Sequence, residues 1–138
     1  MSKIVHIDPD AEWAENNSGR ATIATHYTGV DITLDDGRHV KFGISNGQHC
    51  CESWDYLHPA DDYSEYIGAE YLGLREIDTW PEFSRDSCSE HWDESGFQAI
   101  EVMTSKGPLQ FVVYNNHNGF YSHAVITVEG DKVEVNYL

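Results

Sequence analysis

Positive charge is scarce in this chain. Only 8 Lys and Arg stand against 24 Asp and Glu, for a formal charge of −16. Phosphate contacts are made by Lys and Arg, so the deficit opposes direct DNA or RNA binding through a broad basic surface. It also opposes binding to anionic membranes, and it leaves room for a basic protein partner. No apolar run approaches the roughly 20 residues of a membrane-spanning helix. The N-terminus, Met1-Ser2-Lys3-Ile4-Val5-His6-Ile7-Asp8, lacks the apolar stretch of a secretory leader. Cysteine is limited to 3 residues, an odd number, with Cys50 and Cys51 adjacent. That excludes a disulfide framework and fits free thiols in a reducing cytoplasm. The glycine-rich phosphate loops, the HExxH zinc helix and the EF-hand calcium loop are all missing.

What remains is mostly strand signal. The 138 residues fit one domain, taken as 1–138, with a core large enough to need no metal or disulfide. The acids are spread along the chain, which argues against a disordered acidic tail. Residues 8–18 read as a loop with at most one helical turn, and 19–28 as a strand rich in β-branched residues. Asp35-Asp36-Gly37 is a turn between Val30–Leu34 and His39–Ile44. Val30, Ile32 and Leu34 fall on one face by their spacing, and so do Val40, Phe42 and Ile44. Residues 60–67 read as a short helix with acids in its first turn and Gly68 past its end. Residues 69–79 read as a strand with Leu72, Leu74 and Ile77 in the core and a bulge near Gly73. The stretch 80–96 is too long and polar for a plain connection and reads as an inserted flap with Trp80, Phe83 and Trp92. Four strands follow, at 97–105, 109–114, 121–129 and 133–138. The fold class is therefore mainly β, at the margin of α+β: a single antiparallel β-sheet domain with one short helix.

Two connections carry more chemistry than a turn requires. Tyr114-Asn115-Asn116-His117-Asn118-Gly119-Phe120-Tyr121-Ser122-His123 holds three Asn, two His and three aromatics. A turn between strands needs only about two to five residues, usually with one glycine. Ser45-Asn46-Gly47-Gln48-His49-Cys50-Cys51-Glu52-Ser53-Trp54 is of the same kind. Both follow a hairpin whose returning strand carries a Phe and then runs into an Asn-Gly loop. Two hairpins of matched layout in one sheet could place both loops on the same edge, a weak internal similarity that two ordinary hairpins also give. Amides bind polar edges, imidazoles meet anions or protons, and rings stack, which together is the chemistry of a ligand site. The competing reading is that Asn and Gly serve only turn geometry.

Other chemistry is less well supported. Cys50, Cys51, Cys88 and His91 offer a zinc half-site in Cys88-x-x-His91. Adjacent thiols, however, point to opposite faces of a strand, so no metal is expected. No signature of a cysteine hydrolase surrounds Cys50 or Cys51, and the His and carboxylate residues show no selective spacing, so no catalytic residue is assigned. Trp54 and Tyr56 form either a stacking surface for a planar ring or a cover for one end of the sheet. Arg20, Arg38, Arg75 and Arg85 are too few for a nucleic-acid groove, although one or two suffice for a small phosphate.

The pieces Ile44–Trp54, Tyr66–Glu70 and Leu109–His123 together resemble a family of small phage and prophage proteins that carry a domain of unknown function. The resemblance covers about residues 30–128, and its most specific parts are Asn-Gly-Gln-x-Cys-Cys-Glu and Asn-x-His-Asn-Gly-x-Tyr. The segment 80–96 lies outside the matching pieces. The resemblance implies an accessory role, such as countering host defence. A sponge that sequesters a nucleotide immune signal, as Thoeris anti-defence proteins do, is one form of it. An acidic anti-CRISPR that blocks a basic effector is the other.

The leading expectation is a non-enzymatic cytoplasmic protein that sequesters a small polar ligand or nucleotide without a cofactor. Asn46, Gln48, Asn115 and Asn118 would bind its polar edges, with His49 beside them. Trp54, Tyr114, Phe120 and Tyr121 would stack or shape the pocket, and His117 and His123 would sit near an anionic group. The rival is an acidic inhibitor or nucleic-acid mimic acting on a basic host protein, and a small hydrolase stands third. None of the three opposes a homo-oligomer.

Overall fold

The computed structural model describes residues 2–15, 25–46, 53–60, 62–79, 96–116 and 123–138. Within them run β1 (Ile4–Glu15), β2 (Thr25–Leu34), β3 (His39–Ser45), β4 (Ser53–Leu57), β5 (Tyr71–Ile77), β6 (Gly96–Thr104), β7 (Gly107–Asn116), β8 (Ala124–Glu129) and β9 (Lys132–Tyr137). They form two antiparallel sheets, sheet I in the order β1-β2-β3-β8-β9 and sheet II in the order β4-β7-β6-β5. The period-two apolar pattern is the cause. Val30, Ile32, Leu34, Val40, Phe42, Ile44 and Val125 of sheet I meet Tyr56, Ile100, Val102, Leu109, Phe111 and Val113 of sheet II in one buried cluster.

The connectivity is internally repeated. β1, β2 and β3 form an antiparallel meander in sheet I, and β4 then crosses to sheet II to pair with β7. β5, β6 and β7 form the matching meander in sheet II, and β8 crosses to sheet I to pair with β3. Each half thus lends its fourth strand to the other half's sheet, and β9 adds one more strand beside β8. The two matched hairpins lie in different sheets, not in one. The mainly β, antiparallel fold is as expected, and it is built of two sheets.

Three further expectations change. Most of residues 8–18 is not a loop, because β1 runs through Glu15 with a register shift between Asp8 and Ala11, where Pro9 interrupts the pairing. The short helix shrinks to one 3-10 turn, Ser64–Tyr66, without a side-chain cap. Leu72 is not core but 47% exposed, while Leu74 packs against the cluster. The bulge expected near Gly73 is present between Tyr71 and Gly73. The proposed flap at 80–96 falls outside the described residues except for Gly96.

The β2–β3 turn is clasped to the N-terminus. The Asp36 carboxylate accepts from Ser2 Oγ at 2.6 Å and from Arg38 N at 2.9 Å and Nε at 2.7 Å. The Ser2 hydroxyl first, then the Arg38 backbone N–H, lower its pKa from 3.8 to about 2. A depressed folded pKa means that the clasp contributes above the unfolded value and is lost as pH falls from about 4 towards about 2. Nuclear magnetic resonance titration should show Asp36 titrating near 2, and Ser2→Ala should move that midpoint up towards 3.8. A midpoint unmoved by Ser2→Ala would remove the hydroxyl as the cause.

Candidate functional site

The strand ends that flank the two chemically rich segments are neighbours in both sheets. β3 ends beside the start of β8, with Ile44 opposite Val125, and β4 begins beside the end of β7, with Ser53 opposite Asn116. The connection from β3 to β4 and the connection from β7 to β8 therefore leave and return at neighbouring strand ends. Of the residues expected in the site, Asn46, Trp54, Tyr114, Asn115 and His123 are described. Gln48, His49, His117, Asn118, Phe120 and Tyr121 lie outside the described residues, as do Cys50, Cys51, Cys88 and His91.

The described five divide into buried braces and more exposed groups. His123 is 2% exposed and Asn115 fully buried. His123 Nδ1 lies 2.7 Å from the Ser45 carbonyl oxygen and 3.1 Å from Ser45 Oγ. A carbonyl only accepts, so Nδ1 carries the proton and donates it there. Ser45 Oγ in turn accepts from Ala124 N at 3.2 Å. The backbones of His123 and Leu138 exchange two hydrogen bonds of 2.9 Å, and Asn115 Nδ2 donates to the Leu138 carbonyl oxygen at 2.9 Å. His123 and Asn115 thus pin the crossover ends and the C-terminal residue together. Sequence pattern alone did not show this job, because the polar residue types are those of a ligand site and the burial comes from the neighbouring sheet.

Trp54 joins the braces to the core. It stands opposite Asn115 in the β4–β7 ladder, packs against the core cluster, and lies with its ring centroid 5.1 Å from that of His123. Its Nε1 is a buried donor with no hydrogen-bond partner among the described residues. A buried indole N–H ordinarily finds a partner. Tyr114 is half-buried on the opposite face of sheet II, opposite Asp55 and Phe97. Burial first, then the Asp55 carboxylate, push its hydroxyl pKa up, so it stays a neutral donor near pH 7. Asn46 is half-buried, and its backbone N–H donates to the His26 carbonyl at 3.0 Å. Trp54, His123, Asn115 and Asn46 are thus grouped at one end of the fold, whereas Tyr114 points away from the core there.

Sequence reasoning missed Ser45 and Leu138, whose contribution is a hydroxyl at a strand end and a backbone carbonyl. Among the described residues no group of three or more His, Cys, Asp or Glu is placed to hold a metal ion, and no helix is long and apolar enough to cross a membrane.

The chain belongs to the family described as Domain of unknown function (DUF7448), whose profile matches residues 2–127. The match runs from the residue before Lys3 through both crossovers and ends inside β8. No curated protein and no solved structure matches the chain.

Proposed function

We propose that this member of the DUF7448 family is a non-enzymatic binding protein that sequesters a small polar ligand, a nucleotide signal being the class its residues suit. Acting as a phage-type accessory protein in the host cytoplasm, it would withhold that signal from host defence. The observation that carries this reading is the convergence of the two crossovers, since the strand ends that anchor them are direct neighbours in both sheets. The amide, imidazole and aromatic residues between those strand ends are the types that would bind such a ligand. The unpartnered Trp54 Nε1 among the described residues supports the same reading. Buried His123 and Asn115 act in this reading as the rigid support that a preorganised site needs. Asn46, Gln48, His49, His117, Asn118, Phe120 and Tyr121 supply the contacts.

Native mass spectrometry of protein purified from its own host tests this directly. One small molecule per chain is the expected result, lost or weakened in His117→Ala and Asn118→Ala. Each lost bond to a desolvated ligand costs about 1–3 kcal/mol, roughly tenfold to a hundredfold in affinity. The melting temperature should barely move, since solvent replaces loop hydrogen bonds. If Asn118→Ala instead lowers the melting temperature while ligand is retained, the loop is a structural turn and the reading fails.

A further inference from the structure

The two sheets do not close on each other along the β5–β9 side. A cleft of about 190 Å³ opens there, lined by Leu74 and Glu76 of β5, Ile100 of β6, Thr127 and Glu129 of β8, and Lys132 and Glu134 of β9, with Arg75 at its rim. Its floor is apolar, from buried Ile100 and half-buried Leu74. Glu76, Glu129 and Glu134 put three carboxylates on it. Of its two cations, Arg75 is paired with Glu101 and Lys132 lies 3.3 Å from Glu134.

β9 is the edge of this cleft, and among the described residues it pairs only with β8. Its register with β8 is unbroken from Ala124↔Tyr137 to Glu129↔Lys132, whereas β5 on the opposite rim is bulged. A regular, unbulged edge is the kind on which another strand adds. Alternation along β9 turns Lys132 and Glu134 into the cleft and Val133 and Val135 to the other face. On that face Val135 packs with Ile126 and Val128, and Val133 stays 52% exposed.

We propose that β9 is a docking edge for an extended segment of a basic partner protein, in which Lys or Arg alternates with apolar residues. A strand added to β9 continues both of its faces. Its cations would lie over Glu134 and Glu76, since Glu129 already accepts from the Tyr71 hydroxyl, and its apolar side chains would extend the Val133–Val128 strip. Charge decides between a basic partner and a second copy of this chain. Two copies each carrying −16 repel, whereas a basic segment is drawn in. The charged part of this edge, Lys132 and Glu134, lies at the far end of β9 from Tyr137, where the strand reaches the crossovers, and the proposal does not depend on the ligand reading.

Titration of the full chain with a synthetic peptide that alternates lysine and valine tests the proposal. The control peptide has the same composition with its lysines grouped at one end. The alternating peptide should bind at least about tenfold more tightly than the grouped one. Glu134→Lys should weaken it by about tenfold or more with an unchanged circular dichroism spectrum. Hydrogen exchange should slow at the β9 amides when the peptide is added. Equal affinity for both peptides would mean that bulk charge alone is read, and would overturn the proposal. So would the absence of binding, indifference to Glu134→Lys, or protection confined to other strands. Sedimentation of the chain alone showing a dimer that the peptide disrupts would make a second copy the occupant and overturn it as well.

Discussion

Gly29→Ala is expected to cost at least about 3 kcal/mol, enough to leave much of a marginally stable domain unfolded. Gly29 faces Gly43 across the β2–β3 ladder, next to the irregular stretch of β1. A Cβ on Gly29 would lie 1.9 Å from the Phe42 carbonyl oxygen and 2.6 Å from Gly43 Cα. Both are backbone atoms, so no side chain can swing aside. Gly43 is tight for a related reason, because its Cβ would meet the Thr28 carbonyl oxygen at 2.5 Å and the Trp13 ring at 2.8 Å. Trp13 stacks on Tyr27 at 6.0 Å, with Lys41 Nζ 5.4 Å from the Trp13 ring centroid. The glycine pair therefore lets two strands pinch and an indole lie across them. Gly37→Ala is the control, since nothing lies within 4 Å of its Cβ and only its φ of 89° opposes the change. It should cost about 1 kcal/mol. Urea denaturation showing the two variants equally stable would refute the close approach.

Phe111→Ala should be comparably damaging, at about 3–5 kcal/mol. Phe111 is fully buried in β7, opposite Ile100, and its ring lies 6.5 Å from Tyr56 and 6.2 Å from Tyr63. Tyr63 belongs to the chain's passage from β4 to β5, so the ring ties that passage to the sheet. Phe111→Leu keeps most of the volume and should cost no more than about 1.5 kcal/mol. Denaturant unfolding with an unchanged m-value reads both. A Phe111→Ala variant within about 1 kcal/mol of the parent would mean that the site collapses onto the gap.

The strands after residue 96 were legible because short runs rich in β-branched and aromatic residues stand between turn residues, and β7, β8 and β9 lie close to their expected bounds. β1 was missed because Asp8-Pro9-Asp10 and Trp13-Ala14-Glu15 carry turn and helix residues, and only pairing with β2 holds them extended. Residues 60–67 contain the acids of a helix start, but Tyr63 is drawn into the core and the turn ends at Tyr66. The sheet count was illegible for a different reason. Period-two patterning reports which face is buried and says nothing about which strand lies alongside. At the candidate site, residue types singled out two segments whose flanking strand ends prove to be neighbours. They did not separate His123 and Asn115, which brace the site from within, from Asn46, which is only half-buried.

The exchange of fourth strands between the halves also has a consequence for the order of folding. As the chain emerges from a ribosome, the first meander can form early, but β4 has no partner until β7 is made. β3 likewise keeps an open flank until residues 124–129 arrive. Neither half can finish its own sheet from its own residues. Both sheets must therefore close late and together, through pairings distant in sequence. Such topologies fold slowly and leave strand edges exposed while they wait. A dense negative charge on the incomplete chain would keep those edges from pairing with other copies during that interval.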